Sequence, residues 1–296
     1  RGKVVSSDGK PIEGAVALVQ TNAGPTDSLA ATDKNGEFIL TTERTDLSGL
    51  EVLVEAKGYA PAIIVVRTGG PTATATMANG ATVRGRVARD GNGLPDVMVT
   101  LHHRDSYRYF GEFSVATDKN GRFEFVSTPP KEQFQLYGTM SSLGTRGGSP
   151  ALIVESGADD TELNVGDLHV GPTASLSGRV VLSDGEKLPP ATRIMITRFM
   201  LNDVLVQELD AEGNFAFEGV PLDRYSLLVK LPGYRMSAAN RGVDRTQYML
   251  WGRVENDTKG LRIEMEPGRL GETPSSLAEV EKLTERPFVE ASAGQE

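Results

Sequence analysis

The sequence predicts an all-β protein made of three tandem sandwiches, followed by a short helical tail. Three observations predict it: a hairpin motif that recurs along the chain, a strand-start motif that recurs in step with it, and a generous supply of turn formers. Among 296 residues there are 33 Gly and 16 Pro, which a chain of many short strands needs.

The hairpin motif comes first. Ala31-Thr32-Asp33-Lys34-Asn35-Gly36 recurs letter for letter as Ala116-Thr117-Asp118-Lys119-Asn120-Gly121, 85 residues on. A looser copy, Leu209-Asp210-Ala211-Glu212-Gly213, follows after a further 92, and Phe38, Phe123 and Phe215 stand two residues beyond the three glycines. Asn and Gly accept the positive φ of a tight turn, and Asp can bond backbone two residues on. Asp33, Asn35, Gly36, Asp118, Asn120, Gly121, Asp210 and Gly213 are therefore expected to be structural turn residues.

The strand starts keep step. Gly2-Lys3-Val4, Gly85-Arg86-Val87 and Gly178-Arg179-Val180 lie 83 and 93 residues apart. Each is followed by an Asp-Gly turn (Asp8-Gly9, Asp90-Gly91, Asp184-Gly185) and a proline (Pro11, Pro95, Pro189). A fixed order of anchors at a nearly fixed period marks a repeat architecture. Between them apolar residues alternate, as in Phe123 and Phe125 or Val97, Val99 and Leu101, the signature of half-buried strands. No amphipathic helix is expected between residues 1 and 268.

Boundaries follow: 1–78, 79–172 and 173–268 for the repeats, and 269–296 for a tail. Modules of about 85 to 95 residues can each bury one core between two sheets. The linkers Ala78-Asn79-Gly80 and Gly171-Pro172-Thr173 are short, so the row is expected to be semi-rigid. In the tail, Pro274 to Leu283 offers an N-cap and apolar residues at three-residue spacing, a short helix. Beyond Arg286 the chain is expected to fray.

These residues together resemble the carboxypeptidase regulatory-like repeat: G-x-V, then D-G-x-P, then T-D-x-x-G-x-F, then G-Y. Gly2 to Val4, Asp8 to Pro11, Thr32 to Phe38 and Gly58-Tyr59 carry it in the first repeat. The second departs at the corner, with Leu136-Tyr137-Gly138. The third keeps Gly233-Tyr234 but has Leu209 in place of the threonine. The resemblance implies a transthyretin-like, immunoglobulin-like sandwich of seven strands in each repeat. It also implies a non-catalytic module of exported bacterial proteins, although fold alone assigns no task.

Composition excludes several chemistries. With no cysteine, thiolate metal sites and thiol nucleophiles are absent. A net charge of -9 opposes nucleic-acid binding. No apolar run reaches the length of a membrane helix. No leader stands before Arg1, so the expectation is a processed protein, or a piece of a longer one, that works in the periplasm, at the surface or outside the cell.

Of the three histidines, His102 and His103 are adjacent and face opposite sides of a strand. Asp33-x-Asn35-Gly36 lacks the further ligands of a calcium loop. A Lys–Asn cross-link would need lysine on each first strand, where Arg86 and Arg179 replace Lys3. No catalytic, cofactor or metal residues are therefore assigned.

Two stretches exceed what a minimal sandwich needs. One holds Tyr107, Arg108, Tyr109 and Phe110; the other holds Tyr248, Trp251 and Arg253. Aromatic and arginine side chains on loops suit recognition. The sequence thus predicts a non-catalytic scaffold or assembly protein whose partners are other proteins or copies of itself, with these residues as contacts. The alternative is a carbohydrate-binding module built on the same aromatics, and the plain reading is that they cover sheet edges.

Overall fold

The computed structural model describes residues 1–21, 24–41, 49–103 and 110–289. The fold is an all-β sandwich architecture, and the sheets form three successive pairs. In the first pair, Gly2–Ser6 is central, antiparallel to Glu37–Phe38 and parallel to Ala73–Met77. Its partner sheet runs Gly24–Ala31, Val16–Thr21, Gly49–Glu55, Ala62–Arg67. Alternation along Gly2–Ser6 buries Val4, which shares one core with Phe38, Met77, Ala17 and Val52.

The second pair sets Arg122–Thr128, Ala81–Arg89 and Glu162–His169 against Glu112–Ala116, Met98–His103, Gln133–Gly138 and Leu152–Glu155. The third sets Asn214–Pro221, Thr173–Leu182, Thr258–Pro267 and Tyr234–Met236 against Val204–Glu208, Arg193–Arg198, Arg224–Val229 and Leu250–Arg253. Seven strands were expected in each sandwich. Among the described residues the first pair has them, while each later pair gains a short one. Asn92–Gly93 forms because Asp90 and Gly91 both take positive φ (50° and 78°) and fold the chain back onto Ala81–Arg89. Tyr234–Met236 lies against Thr258–Pro267.

The recurring hairpin is a hydrogen-bonding hub. Asp33 Oδ1 accepts the N–H groups of Asn35 and Glu37 at 2.8 and 2.9 Å. Asp118 does the same for Asn120 and Arg122, both at 2.8 Å, and Asp210 for Glu212 and Asn214 at 3.0 and 2.7 Å. Gly36, Gly121 and Gly213 have φ of 75°, 77° and 86°. Their carbonyls accept the N–H of Val4, Val87 and Val180 on the first strand of each repeat at 2.8 to 2.9 Å. A Cβ on any of the three would collide with the carbonyl oxygen of that same valine, so both φ and space demand glycine.

The threonine beside each aspartate is a buried strut. Thr32 Oγ1 donates to the Ile12 carbonyl at 2.7 Å and accepts the Ala15 N–H at 2.9 Å. Thr117 repeats this with Leu94 and Val97 at the same distances. In the third repeat Leu209 is buried instead, its N–H donates to the Thr192 carbonyl at 2.9 Å, and Thr192 Oγ1 holds the Pro189 carbonyl at 2.6 Å. The hydroxyl has moved to the other side of the loop.

The chain divides into two compact units. The first comprises Arg1–Ala88, Asn92–Tyr137 and Ala151–Leu168; the second comprises Arg89–Gly91, Gly138–Pro150 and His169–Glu296. Gly138–Pro150, in the middle of the second repeat by sequence, thus belongs to the second unit. It carries helix α1 (Met140–Leu143) and a 3-10 turn (Gly144–Arg146), where no helix was expected. One turn is too short to show a helical period, and its first N–H is held from outside: Met140 N donates to Asp203 Oδ1 at 2.9 Å. The Met140 side chain is 1% exposed and lies in the core cluster of the third pair of sheets.

Helix α2 (Leu277–Thr284) starts at Ser276 with a complete capping box to Glu279 and packs on Leu250–Arg253 and Arg224–Val229. The expected fraying beyond Arg286 is not what the structure shows for Pro287 and Phe288. Arg253 N donates to the Arg286 carbonyl at 2.7 Å, and Phe288 N donates to the Arg253 carbonyl at 3.0 Å. The Phe288 ring enters the core against Gly252, where any Cβ would collide with it. Apolar burial at a glycine-lined slot outweighs the entropy of a free end. Among the described residues no helix is long and apolar enough to cross a membrane.

Candidate functional site

The predicted contact residues fall in different environments. Tyr107, Arg108 and Tyr109 lie outside the described residues. Phe110, just after them, is a core residue at 4% exposure, its ring edge-on to His103 at 4.8 Å. His103 is buried as well, 5.3 Å from Phe134, with Nε2 3.3 Å from Glu132 Oε2. His102 points the other way, half-buried beside Glu112, and burial lowers its pKa below the ordinary imidazole value. The two rings thus share no ligand position, and no group of three metal-ligating side chains exists among the described residues.

Arg253 is bonded to the chain's own C-terminal segment, and Trp251 stands on the same strand, which α2 packs against. Trp251 is half-buried on the strand that α2 covers, edge-on to Phe199 at 5.9 Å, with its indole N–H buried. Arg224 stacks on the other partner, 4.6 Å from the Phe199 ring centre. Arg253 holds Arg286 and Phe288 through its backbone, and its guanidinium reaches Glu255 at 3.6 Å. Helix α2 is further tied by Arg245, which bonds Glu279 and whose N–H donates to Ser275 Oγ at 3.0 Å.

Tyr248 differs. It lines a groove of about 590 Å³ in the second unit, bordered by the Gly233-Tyr234 corner and by Gly268 to Leu270. Leu231, Pro232 and Met265 form an apolar base, and Lys230, Arg235 and Arg269 supply the charge. The Tyr234 hydroxyl donates to Asp184 Oδ2 at 2.7 Å, a bond that raises its pKa above the usual phenol value. Arg235 pairs with Glu266 at 2.9 Å. Glu266 also accepts from Gln247 at 3.1 Å, and these donors hold its carboxyl below the usual range. Sequence reading singled out Tyr248 and noted Tyr234 only as a corner. Lys230 and Arg269 were missed because segments 229–235, 247–248 and 265–270 meet only in the fold.

A larger cleft of about 810 Å³ lies in the first unit over Gly85, Phe123 and Gly166. Its charges cancel in pairs: Arg86 grips Asp167 with two bonds of 3.0 and 2.6 Å, and Arg84 pairs with Glu162. This is a solvated ladder on the outside of a sheet, with no net sign to attract a ligand.

A third cluster is buried. Arg198 and Asp203 are 3% and 1% exposed. Arg198 reaches Asp223 Oδ2 through Nε at 2.8 Å and Asp203 Oδ2 at 3.7 Å. Beside them the Tyr225 hydroxyl donates to the Pro221 carbonyl at 2.8 Å, and burial pushes its pKa up. Asp203 completes the cluster by holding Met140 N. Each of these contacts ties one segment of the second unit to another, so the cluster serves packing.

No family model matches the chain, and no curated protein matches it. Among solved structures, the Bacillus anthracis TIE protein is 15% identical over 90% of this chain, with a TM-score of 0.28, and the chain spans 49% of that protein. The minor pilin GBS52 of Streptococcus agalactiae is 14% identical, with 66% of this chain and all of that one covered at a TM-score of 0.31. A streptococcal ancillary pilin is 12% identical, covering 90% and 98% of the two chains at 0.29. At these identities and TM-scores the likenesses carry no argument about function.

Proposed function

We propose that the chain is a non-catalytic assembly protein that works outside the bacterial cytoplasm, joining or spacing proteins through β-sandwich modules of the carboxypeptidase regulatory-like kind. The modules are 1–78, 79–172 and 173–268, with Gly138–Pro150 lent by the second to the core of the third. One observation carries the reading: the recurrent polar residues are spent on the backbone. Asp33, Asp118 and Asp210 each satisfy two hairpin N–H groups, and Thr32 and Thr117 brace the neighbouring loop. In an enzyme, repeated polar residues would converge on a cleft; here they recur because each sandwich needs the same turn.

Light scattering over a concentration series tests the reading. The expected result is a molar mass that rises with concentration. A mass fixed at that of one chain would overturn assembly with copies of itself, and substrate turnover abolished by a single side-chain substitution would overturn the non-catalytic reading.

A further inference from the structure

We propose that the groove at the Gly233-Tyr234 corner docks an extended acidic peptide segment of a partner protein. The charge of the groove favours such a ligand. The chain carries a net charge of -9, yet the described lining of this groove holds Lys230, Arg235 and Arg269 and no carboxylate. Glu266 neutralises Arg235. Lys230 and Arg269 are exposed, and no ion pair engages either among the described residues. Asp184 and Glu186 stand at the Tyr234 hydroxyl end, so the cationic part of the rim is where Lys230 and Arg269 stand, and there it attracts carboxylates.

The surface between those cations suits a peptide as well. Tyr248 and Tyr234 are half-buried, and Leu270 is 46% exposed, giving rigid aromatic faces and an aliphatic contact at low entropic cost. The polar groups that could read sugar hydroxyls are already engaged. The Tyr234 hydroxyl is bound to Asp184, and Gln247 Nε2 donates to the Met236 carbonyl at 2.8 Å as well as to Glu266. Met236 N donates to the Gln247 carbonyl at 2.8 Å, which occupies the free edge of the short strand Tyr234–Met236. Recognition therefore runs through side chains: apolar residues of the ligand on the tyrosines, and its carboxylates on Lys230 and Arg269.

The proposal rests on the assembly reading and names its partner. Its test is fluorescence anisotropy on the full chain with a labelled Glu-Leu-Pro-Glu-Phe-Glu peptide. A peptide with lysine at each glutamate position and a heparin-derived hexasaccharide serve as comparisons. Saturable binding of the acidic peptide alone is expected, weakening as salt rises. K230E/R269E and Y248A should each weaken it at least about tenfold. The first variant changes only exposed groups, so an unaltered melting curve confirms that it is folded. No saturable binding, equal binding of the lysine peptide, indifference to K230E/R269E, or binding of the hexasaccharide alone would each overturn the proposal. Light scattering on the same samples separates the two readings, because loss of the groove with concentration-dependent assembly intact refutes only this one.

Discussion

Met140→Ala tests which part of the chain owns the segment Gly138–Pro150. Met140 is 1% exposed among the residues of the third sandwich core, and its N–H is fixed by Asp203, itself 1% exposed. Truncating a buried methionine removes its transfer energy and leaves a cavity, together about 2–5 kcal/mol. The Asp203 bond survives, because alanine keeps the same N–H, so the side chain alone is probed. A loss of about 3 kcal/mol is about a hundredfold in the opening equilibrium of the second unit, if its slowest amides exchange through cooperative unfolding. Hydrogen exchange read by peptide mass should therefore show protection falling about a hundredfold in Arg193–Arg198 and Asn214–Pro221, with Val16–Thr21 unchanged. Loss confined to residues 139–146 would make the segment a surface appendage. Loss in Met98–His103 would return it to the second repeat. Either result refutes the reasoning.

Thr117→Val should destabilise the first unit by about 2–4 kcal/mol, because the Leu94 carbonyl and Val97 N–H lose their buried partner; chemical denaturation checks it, and a change within error would show that water replaces the hydroxyl. Asp33, Asp118 and Asp210 all have lowered carboxyl pKa values, from the Glu37 and Arg122 N–H groups and from Asn214. Their stabilisation is present above the unfolded carboxylate value of about 4 and is lost as pH falls through the lower folded values. Melting temperature should therefore drop in that acid range, and D33N/D118N/D210N, which keeps the acceptors without the charge, should flatten the drop. An identical drop in the variant would count against the assignment. Gly252→Ala should expel Phe288 and speed tryptic cleavage after Lys282; an unchanged rate would mean that the C-terminal segment docks without the slot.

The fold was legible because local chemistry and global repeat agree. The Asp-x-x-Gly-x-Phe spacing encodes a turn whose aspartate caps it, whose glycine escapes a carbonyl and whose phenylalanine enters the core. Each requirement acts over a few residues, so linear sequence displays it. Met140 and Phe288 show the opposite case. Neither belongs to a periodic pattern, and each is tied in by a residue distant in sequence: Asp203 holds the Met140 N–H, and Gly252 leaves room for the Phe288 ring. Such long-range ties leave no period to read.

The same distinction separates the contact residues. Aromatic and arginine content drew attention to both Trp251 and Tyr248, since composition reports what a loop could offer and says nothing about what already covers it. Trp251 shares its strand with the surface that α2 covers, and α2 is itself a strong local signal, with Ser276 and Glu279 capping each other. The helix packs on that strand although its own Leu277 stays 56% exposed, so local capping more than apolar burial places it there. Tyr248 instead lines an open groove. It lies where three separate segments bring Lys230 and Arg269, which no ion pair engages among the described residues, beside two aromatic rings. A recognition surface of this kind is a property of the tertiary fold, so the residues that give it specificity, Lys230 and Arg269, look in sequence like any other solvated charge.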